Sequence, residues 1–251
     1  NYDIIIDLQK NLRSIFLKYQ LNTKYLSYNK KNIKKWVLIN LGIDLLNEEH
    51  IVDRYFHSLK VFDVYNDNKG LDYFIHDKNI IPVQLNLNTF FVTWVLGGSY
   101  KQKKISQDHI QTVCEKTNFP IIFLGDDSDK HTAEEIIHNM KRSKLYNLCG
   151  KTSLNQSAYI LKKSSLVLTN DTGLMHIASA FKKIIISFWG CTKPSLGMFP
   201  YKSHVKSIQL ISKINSFPCS KLGNKCRYNF QGCINDINVE DILRAIQMTT
   251  K

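Results

Sequence analysis

The sequence has no apolar run approaching the roughly 18 residues of a membrane-spanning helix, so no segment of its 251 residues reads as a membrane span. Arginine is scarce: Arg13, Arg54, Arg142, Arg227 and Arg244 are all there is among 34 basic residues. Acidic side chains number 21, which leaves a formal net charge of +13 at pH 7. A face that binds single-stranded nucleic acid combines cationic side chains with exposed aromatics, and no such cluster occurs, so nucleic acid is not an expected partner. Lys, Asn and Ile share AT-rich codons, and the bulk of the charge reads as drift in composition. The remainder suits small anionic ligands. No carboxylate cluster resembles a Mg²⁺ site, and no C-x2-C pair marks a zinc ribbon. The chain also lacks an initial Met. Asn1 is followed at once by a strand-like run, Tyr2 to Leu8, so residues upstream are expected and the want of a leader carries no information.

What is present is the composition of a globular α/β protein, 43% hydrophobic and 22% charged. Strand patterns cover 2–8, 90–96, 120–124, 145–148, 166–168 and 184–188. Helical patterns cover 10–18, 36–41, 50–61, 105–117, 130–141, 154–163, 173–181 and 236–248, with Asp236 read as an N-cap. Residues 27–35 read as a basic linker, Tyr73 to Pro82 as extended, and 84–88 as a domain boundary. Short apolar runs alternating with helices imply a parallel, doubly wound sheet. Its strand ends, at Gly97-Gly98, Gly125, Gly150 and Asn170-Asp171, would open onto one ligand-binding edge.

The six cysteines divide into two sets. Cys114, Cys149 and Cys191 read as small buried hydrophobes in a reducing compartment. Cys219, Cys226 and Cys233 stand seven residues apart in a polar tail. Three ligands without a fourth make an incomplete metal site, so these read as a local structural feature and no metal is assigned.

The most informative stretch runs from Leu166 to Phe181 and on through Ile184 to Gly190. It reads as strand, turn, helix, strand. Asn170 and Asp171 are the turn and N-cap residues, and the helix N-terminus offers free N–H groups to a phosphate. Asn170, Asp171, Thr172, Gly173, His176, Ala178 and Ala180, followed by Gly190, Thr192 and Pro194, resemble the donor-binding motif of glycosyltransferase family 9, the ADP-heptose:lipopolysaccharide heptosyltransferases. The resemblance implies a GT-B fold: two Rossmann-like domains with parallel sheets, the N-terminal one incomplete here. Residues 1–88 would be part of the acceptor-binding domain. Residues 89–251 would be the nucleotide-sugar donor domain, with a last helix returning to the N-terminal domain.

The resemblance also implies roles. Ser99 and Lys103, with Lys104 as the alternative, would contact the donor phosphates, and Thr172 and Gly173 would extend that site through their N–H groups. Asp129 would bind ribose hydroxyls, Thr152 would belong to the base-pocket loop, Asp171 would orient the site or touch the sugar, and His176 would lie beside the donor. Lys10, Asn11 and Arg13 would face an anionic, lipid-linked saccharide acceptor. The general base of an inverting transfer would precede Asn1. The expected activity is a metal-independent transfer of heptose, or a similar sugar, from an ADP-sugar to a lipopolysaccharide core, with no cofactor. It would take place in the bacterial cytoplasm, with peripheral contact at the inner membrane. The stretch Gly197 to Tyr201 departs from the family pattern and leaves the sugar open. A GT-B sugar-nucleotide epimerase or hydrolase, and an inactive nucleotide-binding remnant, are the rival readings.

Overall fold

The computed structural model describes residues 2–75, 87–140, 144–228 and 232–250. The expectations placed on 76–82 and on Gln84 to Asn86, and the end of the helix predicted to reach Lys141, lie outside the described residues. Among the described residues there are two parallel sheets. The smaller pairs β1 (Ile4–Asp7) with β2 (Lys24–Ser27) around α1 (Leu12–Leu21). It is thinly covered: Ile6 is exposed, α1 buries none of its residues, and Leu12, Phe16 and Tyr19 face outward. The strand expected at 2–8 is thus only partly buried.

The larger sheet has six strands: β3 (Val92–Val95), β4 (Ile121–Leu124), β5 (Leu145–Asn147), β6 (Leu166–Asn170), β7 (Ile185–Trp189) and β8 (Ile208–Ile211). Their order is β5-β4-β3-β6-β7-β8, every pair parallel. Counted within this sheet, that is the 3-2-1-4-5-6 order of a doubly wound fold, whose chain reverses direction across the sheet between β3 and β6. Alternate side chains feed two cores. One face packs Trp94, Phe123 and Phe188 against α4 (Gln107–Glu115), α5 (Lys130–Met140) and α8 (Val239–Thr250). The other packs Val95, Leu124 and Trp189 against α6 (Leu154–Lys163) and α7 (Gly173–Ala180). Both faces are covered, so the central strands are buried along their length and mostly apolar, as expected in a parallel sheet.

Three departures from the sequence reading have local causes. Asn32 to Lys35, expected in a basic linker, open α2 (Asn32–Leu41) and turn Lys35 inward. β8 was missed because Gln209 and Ile211 are exposed and its pattern is that of an edge. Asp236 does not cap α8: its carboxylate accepts from Ser212, Lys213 and Ile214 and ties the end of β8, while the Asn238 side chain accepts from Glu240 N–H at 2.9 Å.

α2 and α3 (Ile51–His57) pack on the loops that follow β7. Ile51 N–H donates to Gly197 O at 2.9 Å, Arg54 to Leu196 O at 3.0 Å, and Tyr201 to Asp53 at 2.6 Å. Leu38, Leu46, Leu196 and Phe217 form a small core between them. No helix among the described residues is long and apolar enough to cross a membrane.

Candidate functional site

A cleft of about 650 Å³ opens at the carboxyl ends of β3, β4 and β6, where the strand order reverses. Diverging loops leave such a crevice at a switch point. Gly97, Gly98, Gly125 and Gly150 line it, together with Ser99, Asp126, Asp127, Thr152, Thr172 and Gly173. Beneath the glycines lies an ion pair, Lys104 Nζ to Asp129 Oδ1 at 2.6 Å, with Asp129 almost wholly buried. A Cβ on Gly125 would sit 2.5 Å from Asp129 Oδ2, so only glycine lets the chain cross that carboxylate. Gly150 has φ +66° and packs on Asp127, which combines a left-handed backbone with a close approach.

At the floor of the crevice Asn170 is a buried strut and not a cap. Its amide donates to Leu96 O at 3.0 Å and Gly97 O at 3.2 Å, and its oxygen accepts from Ile105 N–H at 3.3 Å. The N-cap of α7 is Thr172, with extended backbone and no side-chain cap bond. The first N–H groups of α7 are therefore left without a side-chain acceptor and, with Thr172 and Gly173 in the cleft lining, are open to an anion. Gly173 has nothing within 4 Å of where a Cβ would lie.

Of the site residues named from the sequence, Ser99, Thr152, Thr172 and Gly173 are brought together in this lining. Lys103, Lys104, Asp129, Asp171 and His176 stand just behind it. Lys103 Nζ pairs with Asp171 Oδ2 at 2.7 Å, both largely shielded from solvent, and Thr192 Oγ1 donates to the same oxygen at 3.0 Å. His176 is half-buried, and burial lowers its pKa against the pull of Asp171, so it is mainly neutral at pH 7. Asp129 spends its second oxygen on Asp126 N–H at 3.1 Å. The carboxylates that face the cleft are Asp126 and Asp127, which the sequence reading passed over in favour of Asp129. Their signal was their place directly after Gly125. The Ser128 hydroxyl beside Asp126 holds its carboxyl below the usual range, so it is an ionised acceptor suited to hydroxyl groups. Cys149, buried next to Gly150, has its thiol pushed up to about 12 by burial and is inert.

The residues predicted for the acceptor separate. Lys10 lines a second groove of about 650 Å³ with Lys30, Lys31 and Lys34. Asn11 is the N-cap of α1, and Arg13 is exposed on that helix outside the groove lining. Beside them Asp7 accepts from Gln9 N–H, Lys10 N–H, Ser14 and Tyr25. Burial alone would raise its pKa, but these donors outweigh it and hold it down to about 2.

The fold and its cleft define a doubly wound α/β protein with a ligand crevice at the switch point of its main sheet. The chain belongs to glycosyltransferase family 9 (heptosyltransferase), whose family model matches residues 1–227. Lipooligosaccharide heptosyltransferase 2 of Haemophilus influenzae is 35% identical over 79 residues, which are 30% of this chain and 23% of that protein. Lipopolysaccharide heptosyltransferase 2 of Escherichia coli is 26% identical over 97 residues, 38% of this chain and 28% of that protein. The chain thus matches about a quarter of the length of these relatives. Lipopolysaccharide heptosyltransferase 1 of Campylobacter coli is 26% identical over 268 residues, 98% of this chain and 76% of that protein. Among solved structures, a glycosyltransferase family 9 protein from Veillonella parvula superposes with a TM-score of 0.77 at 18% identity, covering 99% of this chain and 74% of that one. The E. coli heptosyltransferase WaaC with ADP gives 0.65 at 17%, covering 99% and 73%. At such identities the likeness is one of fold, and that fold is GT-B.

Proposed function

We propose that the protein is a glycosyltransferase that moves a heptose, or a similar sugar, from an ADP-sugar to an anionic acceptor of the lipopolysaccharide core. The observation that carries this reading is the uncapped N-terminus of α7, opening into the cleft at the β3/β6 switch point. In this reading the diphosphate lies against the N–H groups of Thr172 and Gly173 and the hydroxyl of Ser99. The Lys103 and Lys104 ammonium groups, set behind them, add positive potential. Fixed dipoles and cations of this kind stabilise a departing ADP without a metal at the phosphates. Asp126 and Asp127 take the hydroxyls of the ribose, and Thr152 borders the base. The lysine groove around Lys10 suits an acidic saccharide. Asp7 is no general base: its carboxylate is occupied by four donors and too weakly basic to take a proton from a sugar hydroxyl.

Calorimetric titration with ADP, UDP and GDP tests the reading. ADP binds at least about tenfold more tightly than the others, a difference of about 1.4 kcal/mol, and added Mg²⁺ leaves its affinity unchanged. A preference for UDP would point to a different donor, as in a sugar-nucleotide epimerase, and no binding by any of the three would overturn the proposal.

A further inference from the structure

Cys191 joins the three regularly spaced cysteines of the tail. The Sγ atoms of Cys191, Cys219, Cys226 and Cys233 all lie within 4.8 Å of one another. Cys191 and Cys233 are 3.7 Å apart, and Cys219 and Cys233 are 3.9 Å apart. Four thiolates placed tetrahedrally around one Zn²⁺ at about 2.3 Å stand about 3.8 Å from each other. A cluster of several irons, each bound by one thiolate, would spread its ligands farther. No disulfide joins these four residues; Cys191, Cys219 and Cys233 are buried and Cys226 is half-buried.

Hydrogen-bond donors face the sulfurs. The N–H of Arg227 and the side-chain amide of Asn215 point at Cys219 Sγ, the latter at 3.7 Å, and the N–H of Cys233 points at Cys191 Sγ. Hydrogen bonds of this kind orient metal-bound ligands. Lys193, two residues after Cys191, is buried with its ammonium on Ser212 O at 2.8 Å.

We infer that these four cysteines form a tetrathiolate site for a single zinc ion. The site is structural, since four protein ligands leave no position open for a substrate. It joins the end of β7 to the 215–228 loop and to the 3-10 turn Cys233–Asp236 that leads into α8. The loop it fixes covers the donor side of the molecule: a Cβ on Gly223 would lie 2.6 Å from Lys103 Cγ and 3.1 Å from Thr192 Cγ2. The zinc would thereby seat the loop that holds Lys103 and Thr192 against Asp171.

The test is metal analysis of the full chain purified under reducing conditions, with replacement of zinc by cobalt. One zinc per chain is expected, and the cobalt form should show the intense thiolate charge-transfer and ligand-field bands of a tetrahedral four-sulfur site. Cys226→Ala, at the least buried ligand, should weaken zinc binding by at least about 100-fold. Cys149→Ala, at a cysteine outside the cluster, should leave it unchanged. If Cys226→Ala fails to fold, the zinc content and cobalt spectrum of the wild-type chain still decide. A metal-free chain with four reactive thiols, a chain whose mass shows two disulfides, or stoichiometric iron in place of zinc would each overturn the inference.

Discussion

His50 shows how one side chain carries a pH dependence into the fold. It is buried, its Nε2–H donates to Phe199 O at 2.9 Å, its Nδ1 accepts from Val52 N–H at 3.2 Å, and its ring stacks on Tyr201. Both nitrogens are committed in the neutral form, and burial lowers the pKa from 6.5 to about 4. A depressed pKa means that the unfolded chain takes up the proton first. The contribution to stability is therefore intact above about pH 6.5 and is lost as pH falls toward 4, by about 2–3 kcal/mol. His50→Gln should flatten this limb, read from urea denaturation at pH 7 and pH 4.5; an unchanged slope would show that other groups set it. Gly125 is constrained by contact instead of charge. Gly125→Ala drives a methyl group into Asp129 and should cost about 1–3 kcal/mol of stability while reducing ADP affinity, as scanning calorimetry and titration would record. Neither constraint can be read locally. His50 meets Phe199 across 149 positions, and the Lys104–Asp129 pair that displaces Asp129 from the cleft joins two separate loops.

At the scale of elements, α7 is the part most legible in the sequence. The run from Leu166 to Asn170 forms β6 and the small-residue run from Gly173 forms α7, because a continuous apolar run closed by turn residues marks a buried strand and the small-residue run after it marks a helix. What the pattern could not give is that the helix starts without a side-chain cap, since Asn170 turns its amide onto β3 and Asp171 turns to Lys103. This omission has a measurable counterpart. Thr172→Asp places a carboxylate at the N-cap and should stabilise the protein by about 0.5–1 kcal/mol through capping and the helix dipole. The same charge competes with a diphosphate, so ADP affinity should fall at least about tenfold. A rise in melting temperature with unchanged ADP binding would place the diphosphate elsewhere. β2 and β8 were beyond the pattern for a simpler reason. Both are only partly buried and mix polar with apolar residues, so neither shows the near-continuous apolar run that marks β3 and β4.

Across the whole molecule, the docking of residues 31–75 on the loops after β7 rests on few apolar contacts. Leu46 is 2% exposed and is one of three buried residues in the small core shared with Leu38 and Leu196. Leu46→Ala should cost about 2–4 kcal/mol. If this region unfolds apart from the main sheet, the mutant should show two denaturation transitions where the parent shows one, by far-ultraviolet circular dichroism and tryptophan fluorescence. The sequence conveyed the doubly wound character of the main sheet because alternation of strand and helix is local. It did not convey the assembly of the four cysteines. Cys191 lies 28 residues before Cys219, and a spacing rule sees only ligands close together along the chain.

That every neighbouring pair in the six-stranded sheet is parallel bears on how the chain comes to its fold. No two of these strands can form a hairpin; each pairing waits for a crossover connection, and the central pair β3 and β6 waits for the whole span between Val95 and Leu166. Such contact orders make folding slow, with strand edges and thiols uncovered for most of its course. The interval before the sheet closes is the period in which Cys191 is separated from its three companions and open to oxidation. Refolding yield should consequently depend on reductant added during the first phase of folding, and be indifferent to reductant added once the sheet has formed.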